Sequence, residues 1–414
     1  MKQGVIAACL LILLSLGARA AGSTVSLAPS AGETAAYGVN IPFTASARTG
    51  RYQFEIYDGE SASGAPLASY GETRLTPGAR VDLYLPFAYD PAAPHTYTLR
   101  VQALPEPGRE GLDRPGEQAK PFTTGTVSAC GSGAQHAVSA GGFLAGDGTA
   151  ASPFIVSTPE QLNHVRLHLA GHFLQVRDID LQGQSFAPIG VFSGVYDGGG
   201  YVVRNLSVST AQEFAALFGQ LSGAAIQNLG IENYSIYSSY LYGRGAPLAG
   251  SSDSGGISII TRCYADTGTV TANDDAGGLV AYTNMTITDC YAVGGTLRSI
   301  REGGHRTGGI ATSSNYGSSM TRCFAIPASM SYHKPSVSDG TGGLVGMTAN
   351  PFESCYWMTG RGANYAVGQS SANPSGTTAL SNASDFNSFD TMKGFDPAVW
   401  RAGEEHLVLR VFDH

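Results

Sequence analysis

Apolar side chains alternate with other residues through positions 24–127, and the clearest runs lie at 52–56, 81–85 and 97–101. A period of two predicts β-strands that each bury one face. Clusters of Gly, Pro and Asp separate about seven such runs, which is the spacing of a β-sandwich. We therefore expect an antiparallel β-sandwich domain over residues 21–127.

Two segments of this region predict irregular structure. Residues 105–120 are rich in Pro, Gly and charge and predict a surface loop, and residues 128–142 predict a linker. Residues 95–103 and 122–125 resemble the last strands of fibronectin type III or related immunoglobulin-like modules. The antibody-type disulfide and core Trp are absent, because residues 21–127 contain neither Cys nor Trp.

A helix signal opens the second part of the chain. Ser157 and Glu160 have the spacing of a capping box, and Pro159 falls in the first turn. Apolar residues follow at helical spacing until Gly171. We predict a helix over about 158–170 that covers the first coil of the repeats described next.

A unit built around an aliphatic residue and glycine recurs through the rest of the chain. Its aliphatic positions, at steps of 31, 31, 31 and 34 residues, are Leu217, Leu248, Leu279, Ile310 and Leu344. A second short run with one cysteine follows the later ones, at Cys263, Cys290, Cys323 and Cys355. Such a unit cannot bury its own apolar face, but coils stacked at about 4.7–4.9 Å share one interior. The pattern predicts an all-β fold with a right-handed parallel β-solenoid over residues 143–380.

These units, together with the closing Cys355-Tyr356-Trp357, resemble the GLUG-motif family, named for its Gly-Leu-X-Gly signature, of bacterial surface and secreted proteins. The resemblance runs from about Phe143 to the C-terminus and implies a repeat architecture. Some GLUG repeats occur in large metallopeptidases that cleave immunoglobulin A. That activity requires His-Glu-x-x-His, and none of the nine histidines here is followed by Glu.

The recurring Ile-Thr-x-Cys-Tyr-Ala run predicts how side chains alternate within a coil. We place Ile and Cys inward and Thr and Tyr outward, with a bend at x that resets the alternation. A parallel ladder holds stacked Cβ atoms beyond the usual disulfide range of about 3.5–4.5 Å. Mostly free, buried thiols are therefore expected.

Both ends of a solenoid require a cover, because open ends present unpaired strand edges. Residues 381–414 supply large apolar side chains for this purpose: Phe386, Phe389, Phe395 and Trp400. We expect this C-terminal segment to cap the last coil.

The first 20 residues predict export. Lys2 precedes an apolar stretch at 5–16, and Ala18-Arg19-Ala20 forms a small-x-small cleavage site. No later run of about 18 apolar residues follows, so no transmembrane segment is expected in the mature chain. We expect an extracellular, cell-surface or periplasmic protein.

The composition excludes other classes. The chain has 55 Gly, only 14% charged residues and a net charge of −8. Low charge with 43% hydrophobic residues does not fit a disordered chain. An acidic balance also offers no footprint for nucleic acid.

Three groups of titratable residues are candidates for a metal or catalytic site. His164, His168 and His172 have helical spacing for a metal, but a turn near Gly171 should divert the last, so no metal site or cofactor is expected. Arg262, Asp289 and Arg322 share one repeat position. They predict either a cross-coil ion-pair ladder, which we favour, or the catalytic cluster of a polysaccharide lyase or hydrolase. We name no catalytic residue. The turn-formers expected near the first coils are Asp178, Asp180 and Asp197.

Aromatic side chains are the remaining binding signal, because they bring large contact area at small entropic cost. One group crowds a single loop: Tyr234, Tyr237, Tyr240 and Tyr242. A second group is expected as an outward ladder, for which self-stacking is the alternative to binding: Tyr264, Tyr291, Phe324 and Tyr356. We expect an adhesin-like binding protein for a glycan or a host or cell-surface protein. The alternatives are a glycan-cleaving enzyme and a structural envelope component.

Overall fold

A computed structural model describes residues 12–13, 38–44, 50–74, 80–86, 95–105, 116–124, 129–137, 140–143, 146–252, 255–302, 306–314, 317–332, 340–348 and 351–413. The chain divides into two compact units, residues 1–147 with 413–414 and residues 148–412. Most of the predicted export signal, 1–20, lies outside the described residues. Within the described ranges, no helix is both long and apolar enough to cross a membrane.

The first unit is built from strands. They are β1 (Ile12–Leu13), β2 (Gly38–Thr44), β3 (Arg51–Asp58), β4 (Ala68–Arg74), β5 (Arg80–Pro86), β6 (His95–Ala103) and β7 (Gly116–Thr124), and a 3-10 turn follows at Ala134–His136. One sheet has the order β1-β2-β5 and the other β4-β3-β6-β7. Apart from the parallel β1–β2 pair, these strands pair antiparallel.

The alternation predicted for this unit is confirmed in β3, where Tyr52, Phe54 and Ile56 are all buried. The predicted loop at 105–120 is partly wrong, since β7 begins at Gly116 and pairs with β6 along its whole length. β7 is the edge strand of its sheet, where proline and charged residues are tolerated. Composition alone therefore predicted a loop for residues 116–120, which form part of an edge strand.

The second unit opens with a strand and a short helix. These elements are β8 (Phe154–Val156), α1 (Pro159–His164) and a 3-10 turn, Val165–Leu167. Thr158, and not Ser157, is the N-cap, because its hydroxyl accepts the Gln161 backbone N–H at 3.2 Å. The helix is shorter than the predicted 158–170, since the backbone leaves helical geometry at His168.

Short strands make up nearly all the rest of this unit. They are β9 (His172–Gln175), β10 (Ile179–Asp180), β11 (Ile189–Phe192), β12 (Val195–Arg204), β13 (Ser207–Thr210), β14 (Phe214–Ala215), β15 (Phe218–Leu221), β16 (Ala225–Ser238), β17 (Arg244–Gly245), β18 (Ala249–Ser252), β19 (Ser258–Thr261), β20 (Tyr264–Ala272), β21 (Asp275–Gly277), β22 (Val280–Thr283), β23 (Met285–Thr288), β24 (Tyr291–Ser299), β25 (Thr307–Gly308), β26 (Ala311–Ser314), β27 (Ser319–Thr321), β28 (Phe324–Ile326), β29 (Ser329–Tyr332), β30 (Thr341–Thr348), β31 (Phe352–Glu353), β32 (Cys355–Met358), β33 (Tyr365–Val367), β34 (Thr377–Leu380), β35 (Trp400–Ala402) and β36 (Leu407–Leu409). Two 3-10 turns lie near the C-terminus, at Ala383–Asn387 and Arg410–Phe412.

These strands stack as a parallel β-solenoid of about 5 turns, as predicted. One sheet carries β12, β16, β20, β24, β28 and β32 side by side, and another carries β11, β15, β18, β22, β26 and β30. The register places equivalent residues over one another, so Tyr264 pairs with Tyr291, Tyr291 with Phe324, and Phe324 with Tyr356. Coils of unequal length are thus brought into one alignment.

The repeated aliphatic residues form a continuous ladder in the interior. The Leu248 N–H donates to the Leu279 carbonyl at 3.0 Å, Leu279 donates to Ile310 at 3.0 Å, and Ile310 donates to Leu344 at 2.9 Å. All four side chains are fully buried. The spacing of these residues in the sequence therefore measured the length of one coil.

The four stacked cysteines also lie in the interior. Cys263, Cys290, Cys323 and Cys355 are buried and unpaired by disulfides, in agreement with the prediction of free thiols. Each Sγ lies 3.2–3.4 Å from the carbonyl oxygen two residues earlier. Burial raises the pKa of Cys290, Cys323 and Cys355, because an apolar interior disfavours the thiolate.

The bend predicted before each cysteine is a left-handed residue. The non-glycine residues at this repeat position have φ between 49° and 54°, and they are Asn228, Arg262, Asp289, Arg322 and Ser354. Such a φ is uncommon outside Gly and favours Asn and Asp. It interrupts the two-residue alternation, so Ile260 and Cys263 are both buried in the interior although three positions separate them.

The C-terminal segment, residues 381–412, is named here the C-terminal clasp. It was expected to cap the last coil, but its rings pack along the side of the solenoid. Phe412 lies 4.8 Å from Tyr264, Trp400 lies 5.8 Å from Phe324, and Phe395 meets Tyr356 at 5.8 Å, each between ring centroids. One outward aromatic residue per coil leaves a continuous apolar strip, and the clasp removes that strip from water.

Candidate functional site

The end of β16 and the turn that follows it expose a group of large aromatic and aliphatic side chains. Tyr237 and Tyr240 are each 41% exposed, Tyr242 is 48% exposed and Leu241 is 55% exposed. We call these four residues the tyrosine patch. The Tyr240 and Tyr242 rings lie 6.4 Å apart at 63°, so the patch presents ring edges and faces in two directions.

The loop that carries the patch is braced from the next coil. The Asn273 side-chain amide donates to the carbonyl oxygens of Ser239 and Tyr240, both at 2.9 Å. The Gly243 N–H closes a turn onto the Tyr240 carbonyl at 2.9 Å. These bonds fix the backbone between the tyrosines, so a ligand would not have to order the loop.

A cation lies against the patch. The Arg301 guanidinium is 4.6 Å from the centroid of the Tyr242 ring, and its Nη1 is 3.1 Å from Asp274 Oδ1. Burial raises the pKa of the Asp274 carboxyl, and nearby arginines, Arg301 first among them, oppose that shift. The arrangement holds Arg301 over the ring and offers a charged donor next to an aromatic surface.

Tyr234 does not belong to this exposed group, which corrects the prediction. It is buried, because left-handed Asn233 reverses which face the following residues occupy. Its ring lies across Gly268 in the next coil and reaches Gly295 in the coil after. A Cβ on either glycine would come within 2.5 Å of Tyr234, so two coils lack a side chain to make room for one ring.

The predicted aromatic ladder exists but is not an exposed face. Tyr264, Tyr291, Phe324 and Tyr356, named here the flank ladder, are all buried beneath the C-terminal clasp. Adjacent rings are parallel: Tyr264 and Tyr291 lie 4.8 Å apart at 3°, and Tyr291 and Phe324 lie 5.0 Å apart at 2°. Self-stacking and packing account for these residues, and their ring faces are closed to a large ligand.

A cavity of about 310 Å³ opens where the clasp meets the solenoid. We call it the flank pocket. Its solenoid wall carries Glu232 and Asp266, which occupy the same position in adjacent coils, and its clasp wall carries Glu404 and Glu405. Arg401 is the lining residue with a permanent positive charge.

The hydroxyl groups at this pocket are bonded unequally. The Tyr264 hydroxyl donates to Glu232 Oε1 at 2.6 Å, and Arg204 holds Oε2 of the same carboxylate at 2.8 Å. Burial raises the pKa of Tyr264 and of Tyr291. The Tyr291 hydroxyl, by contrast, makes no hydrogen bond to any other described residue.

The proposed charge ladder is an ion pair and not an open acid. Arg322 binds Asp289 through Nε at 2.6 Å and Nη2 at 2.8 Å, and Trp400 Nε1 donates to the same carboxylate at 3.1 Å. Asp289 is buried, and among the described ion pairs it has Arg322, but not Arg262, as partner. Three hydrogen bonds engage its two oxygens, which favours the structural interpretation over the catalytic one.

Of the three spaced histidines, two stay together and His172 turns away, as predicted. His164 and His168 have ring centroids 5.4 Å apart near the end of α1, whereas His172 lies in β9. The aspartates expected to form turns bind backbone and side chains of their own and adjacent coils. Asp180 Oδ1 accepts the Gln182 N–H at 2.7 Å, and Asp197 Oδ1 accepts the Gly199 N–H at 2.9 Å.

Reasoning from the sequence missed the acidic wall of the flank pocket. Glu232 and Glu404 are far apart in the chain, and only docking of the clasp brings them to one cavity. Aligning the coils would have paired Glu232 with Asp266, since the strand register places them opposite one another. That pairing was the one feature of the sequence that could have indicated the acidic wall of the flank pocket.

Comparisons with known proteins are partial. No family model matches the chain. A putative Gly-rich membrane protein of Evansella cellulosilytica is 29% identical over 140 residues, covering 30% of this chain and 16% of that protein. Halomucin of Haloquadratum walsbyi is 33% identical over 118 residues, covering 23% of this chain and 1% of that protein. The chain spans less than a fifth of the length of either relative, and the fold is compatible with a surface or extracellular repeat protein.

Proposed function

We propose that this chain is a secreted or cell-surface, adhesin-like binding protein whose solenoid presents the tyrosine patch to a glycan or protein. The observation that carries the proposal is the exposure of Tyr237 at the end of β16 and of Tyr240, Leu241 and Tyr242 on the braced turn that follows it. Rigid exposed aromatics with an adjacent arginine are the composition of binding hot spots. An exposed apolar cluster of this kind otherwise lowers solubility, so retaining it requires a reason.

The architecture supports the same function. A stack of coils holds side chains from successive repeats at fixed spacing and so builds an extended rigid surface. The stacked aliphatic positions support membership of the GLUG-motif group, and the antiparallel first unit supports the immunoglobulin-like resemblance. The partial relatives support a surface location, with export by residues 1–20 as part of the proposal.

A glycan array and a panel of extracellular proteins, probed with the mature chain, would identify the ligand. The double variant Tyr240→Ala/Tyr242→Ala should lose affinity at least about tenfold, the size of a hot-spot effect. Tyr365→Ala is the matched control, because Tyr365 is 39% exposed and lies on β33, outside the patch. Equal loss in both variants, or unchanged binding by the double variant, would contradict the proposal.

A further inference from the structure

The flank pocket contains an excess of negative charge. Glu404 and Glu405 are exposed at its rim and face Asp266 and Glu232 across the cavity, whereas Arg401 is the one lining guanidinium. Arg204 neutralises part of Glu232 from outside the pocket. The field inside the pocket therefore favours a cation.

The carboxylates are distributed around the walls. No three of them bring oxygens within 4.8 Å of one another in the described part of the chain, which is what a metal ion would need. Two lie on solenoid strands and two on the turn between β35 and β36. This spacing fits an organic ligand with donors on opposite sides better than a point charge.

Tyr291 gives an independent sign of a missing partner. It is 4% exposed and lines the pocket, and its hydroxyl has no hydrogen-bond partner among the described residues. The other hydroxyls of the flank ladder are bonded, Tyr264 to Glu232 and Tyr356 to the Lys393 carbonyl at 3.0 Å. The Tyr291 hydroxyl oxygen opens onto the cavity, where it can accept a hydrogen bond from, or donate one to, a group supplied by a ligand.

The apolar part of the pocket suits a ring. Phe412 packs edge-on against Tyr264 at 79°, and the His406 ring lies 5.2 Å from that of Tyr291. The His406 Nδ1–H donates to the Leu407 carbonyl at 2.8 Å, which leaves Nε2 available as a hydrogen-bonding group. A cavity of about 310 Å³ is at the small end of ligand pockets and holds one ring unit.

We propose that the flank pocket binds an amino sugar unit, with its ammonium group between the wall carboxylates and the Tyr291 hydroxyl oxygen. The ring hydroxyls donate to the carboxylates of the opposite wall, and ring C–H groups contact Phe412 and His406. A lysine-like amine offers donors at one end only and leaves the second wall unsatisfied. The site shares no residue with the tyrosine patch, so it stands independently of the proposed function.

Calorimetric titration of the full-length mature chain tests this with four probes: glucosamine, N-acetylglucosamine, glucose and cyclohexylamine, a ring with one ammonium group and no hydroxyl. Glucosamine should bind at least about tenfold more tightly than the other three, because it alone combines the charge with the ring hydroxyls. Equal binding of glucose or N-acetylglucosamine would overturn the requirement for the amine. Equal binding of cyclohexylamine would overturn the requirement for the sugar hydroxyls, and no binding of glucosamine would overturn the site.

Two variants localise the binding. Tyr291→Phe should weaken glucosamine about fivefold while leaving the melting temperature unchanged or slightly higher, since it removes an unbonded hydroxyl. Tyr264→Phe should lower the melting temperature, because it breaks the bond to Glu232.

The rim variant Glu404→Gln/Glu405→Gln provides a second measurement on exposed residues that carry no packing. It should reduce glucosamine affinity by tenfold or more, whereas Glu160→Gln on α1 should not change it. Unchanged affinity in both Tyr291→Phe and the rim variant would overturn the proposal.

Discussion

The flank ladder and the tyrosine patch place the same residue type on the outside of the same solenoid, yet they end with opposite exposure. The ladder residues recur once per coil, so their rings stack into a strip that the C-terminal clasp covers. The patch residues lie at the end of β16 and in the turn after it, within one coil, and they do not recur from coil to coil. Repetition thus turns aromatic residues into packing surface, whereas the aromatic residues of the patch, which do not recur from coil to coil, stay exposed.

The largest expected effect belongs to the buried region of this comparison. It is a loss in the free energy of unfolding at alkaline pH, because the flank ladder lies beside the buried thiols. Burial raises the pKa of Cys290, Cys323 and Cys355, so these thiols ionise first in the unfolded chain. Their stabilising contribution is complete below the unfolded thiol pKa of about 8.5 and is lost as the pH rises above it. Each such thiol lowers the free energy of unfolding by about 1.4 kcal/mol per pH unit.

Urea denaturation between pH 7 and pH 10 measures this slope. The variant Cys290→Ala should show a shallower slope than the parent chain, whatever its stability at pH 7. Parallel slopes for parent and variant would show that the thiols are not the groups responsible.

Removing the clasp anchor should come next in size. Trp400 is fully buried, packs on Tyr291 and Phe324, and donates to Asp289. Trp400→Ala should lower the free energy of unfolding by about 3–5 kcal/mol and expose the flank ladder. Urea denaturation and binding of an apolar dye report the two effects. If the dye signal stays at the parent level, the ladder does not depend on the clasp for cover.

A smaller effect is expected from the ion pair beneath the clasp. Asp289→Asn keeps the shape of the side chain but removes the charge that binds Arg322 in two bonds. We expect a loss of about 1–3 kcal/mol in the free energy of unfolding. Release of products from uronic-acid polymers, abolished by this substitution at normal stability, would instead restore the catalytic interpretation.

The smallest effect should follow changes in the patch. Tyr240→Ala/Tyr242→Ala alters exposed side chains, so the free energy of unfolding should stay within about 0.5 kcal/mol of the parent value. Thermal denaturation checks this. A loss as large as that of Trp400→Ala would place the patch in the packing of the solenoid and remove its distinction from the flank ladder.

Local pattern predicted the solenoid well and the clasp poorly, for a physical reason. The spacing of Leu248, Leu279 and Ile310 records the length of a coil, and a coil repeats its own interior contacts. The same pattern shows that Tyr264 faces outward but carries no information about what covers it. The Trp400–Asp289 bond joins residues 111 positions apart, beyond the reach of periodicity.

The candidate site divides in the same way. The grouping of Tyr237, Tyr240 and Tyr242 in the sequence predicted a surface position, and all three are exposed, Tyr237 at the end of β16 and the other two in the turn after it. Tyr234 was predicted to share an exposed loop and is instead buried in β16, because the left-handed backbone at Asn233 is a property of a single residue that no alternation reveals. The two-residue alternation therefore predicts which side chains are buried only within segments that lie between such left-handed residues.

The packing of the C-terminal clasp also fixes how many coils the solenoid can have in this stretch. In a solenoid with no segment packed along its side, a duplicated repeat disturbs no other contact, since each repeat contacts only its neighbours. Here Phe412 meets Tyr264, and Phe395 meets Tyr356 three rungs further along. One additional coil between Tyr264 and Tyr356 would move these two rings about 4.8 Å further apart. One of the two clasp rings would then lose its contact. The C-terminal clasp therefore fixes the number of repeats between these two contacts. A chain that gained or lost a repeat in this stretch would fold to a less stable structure.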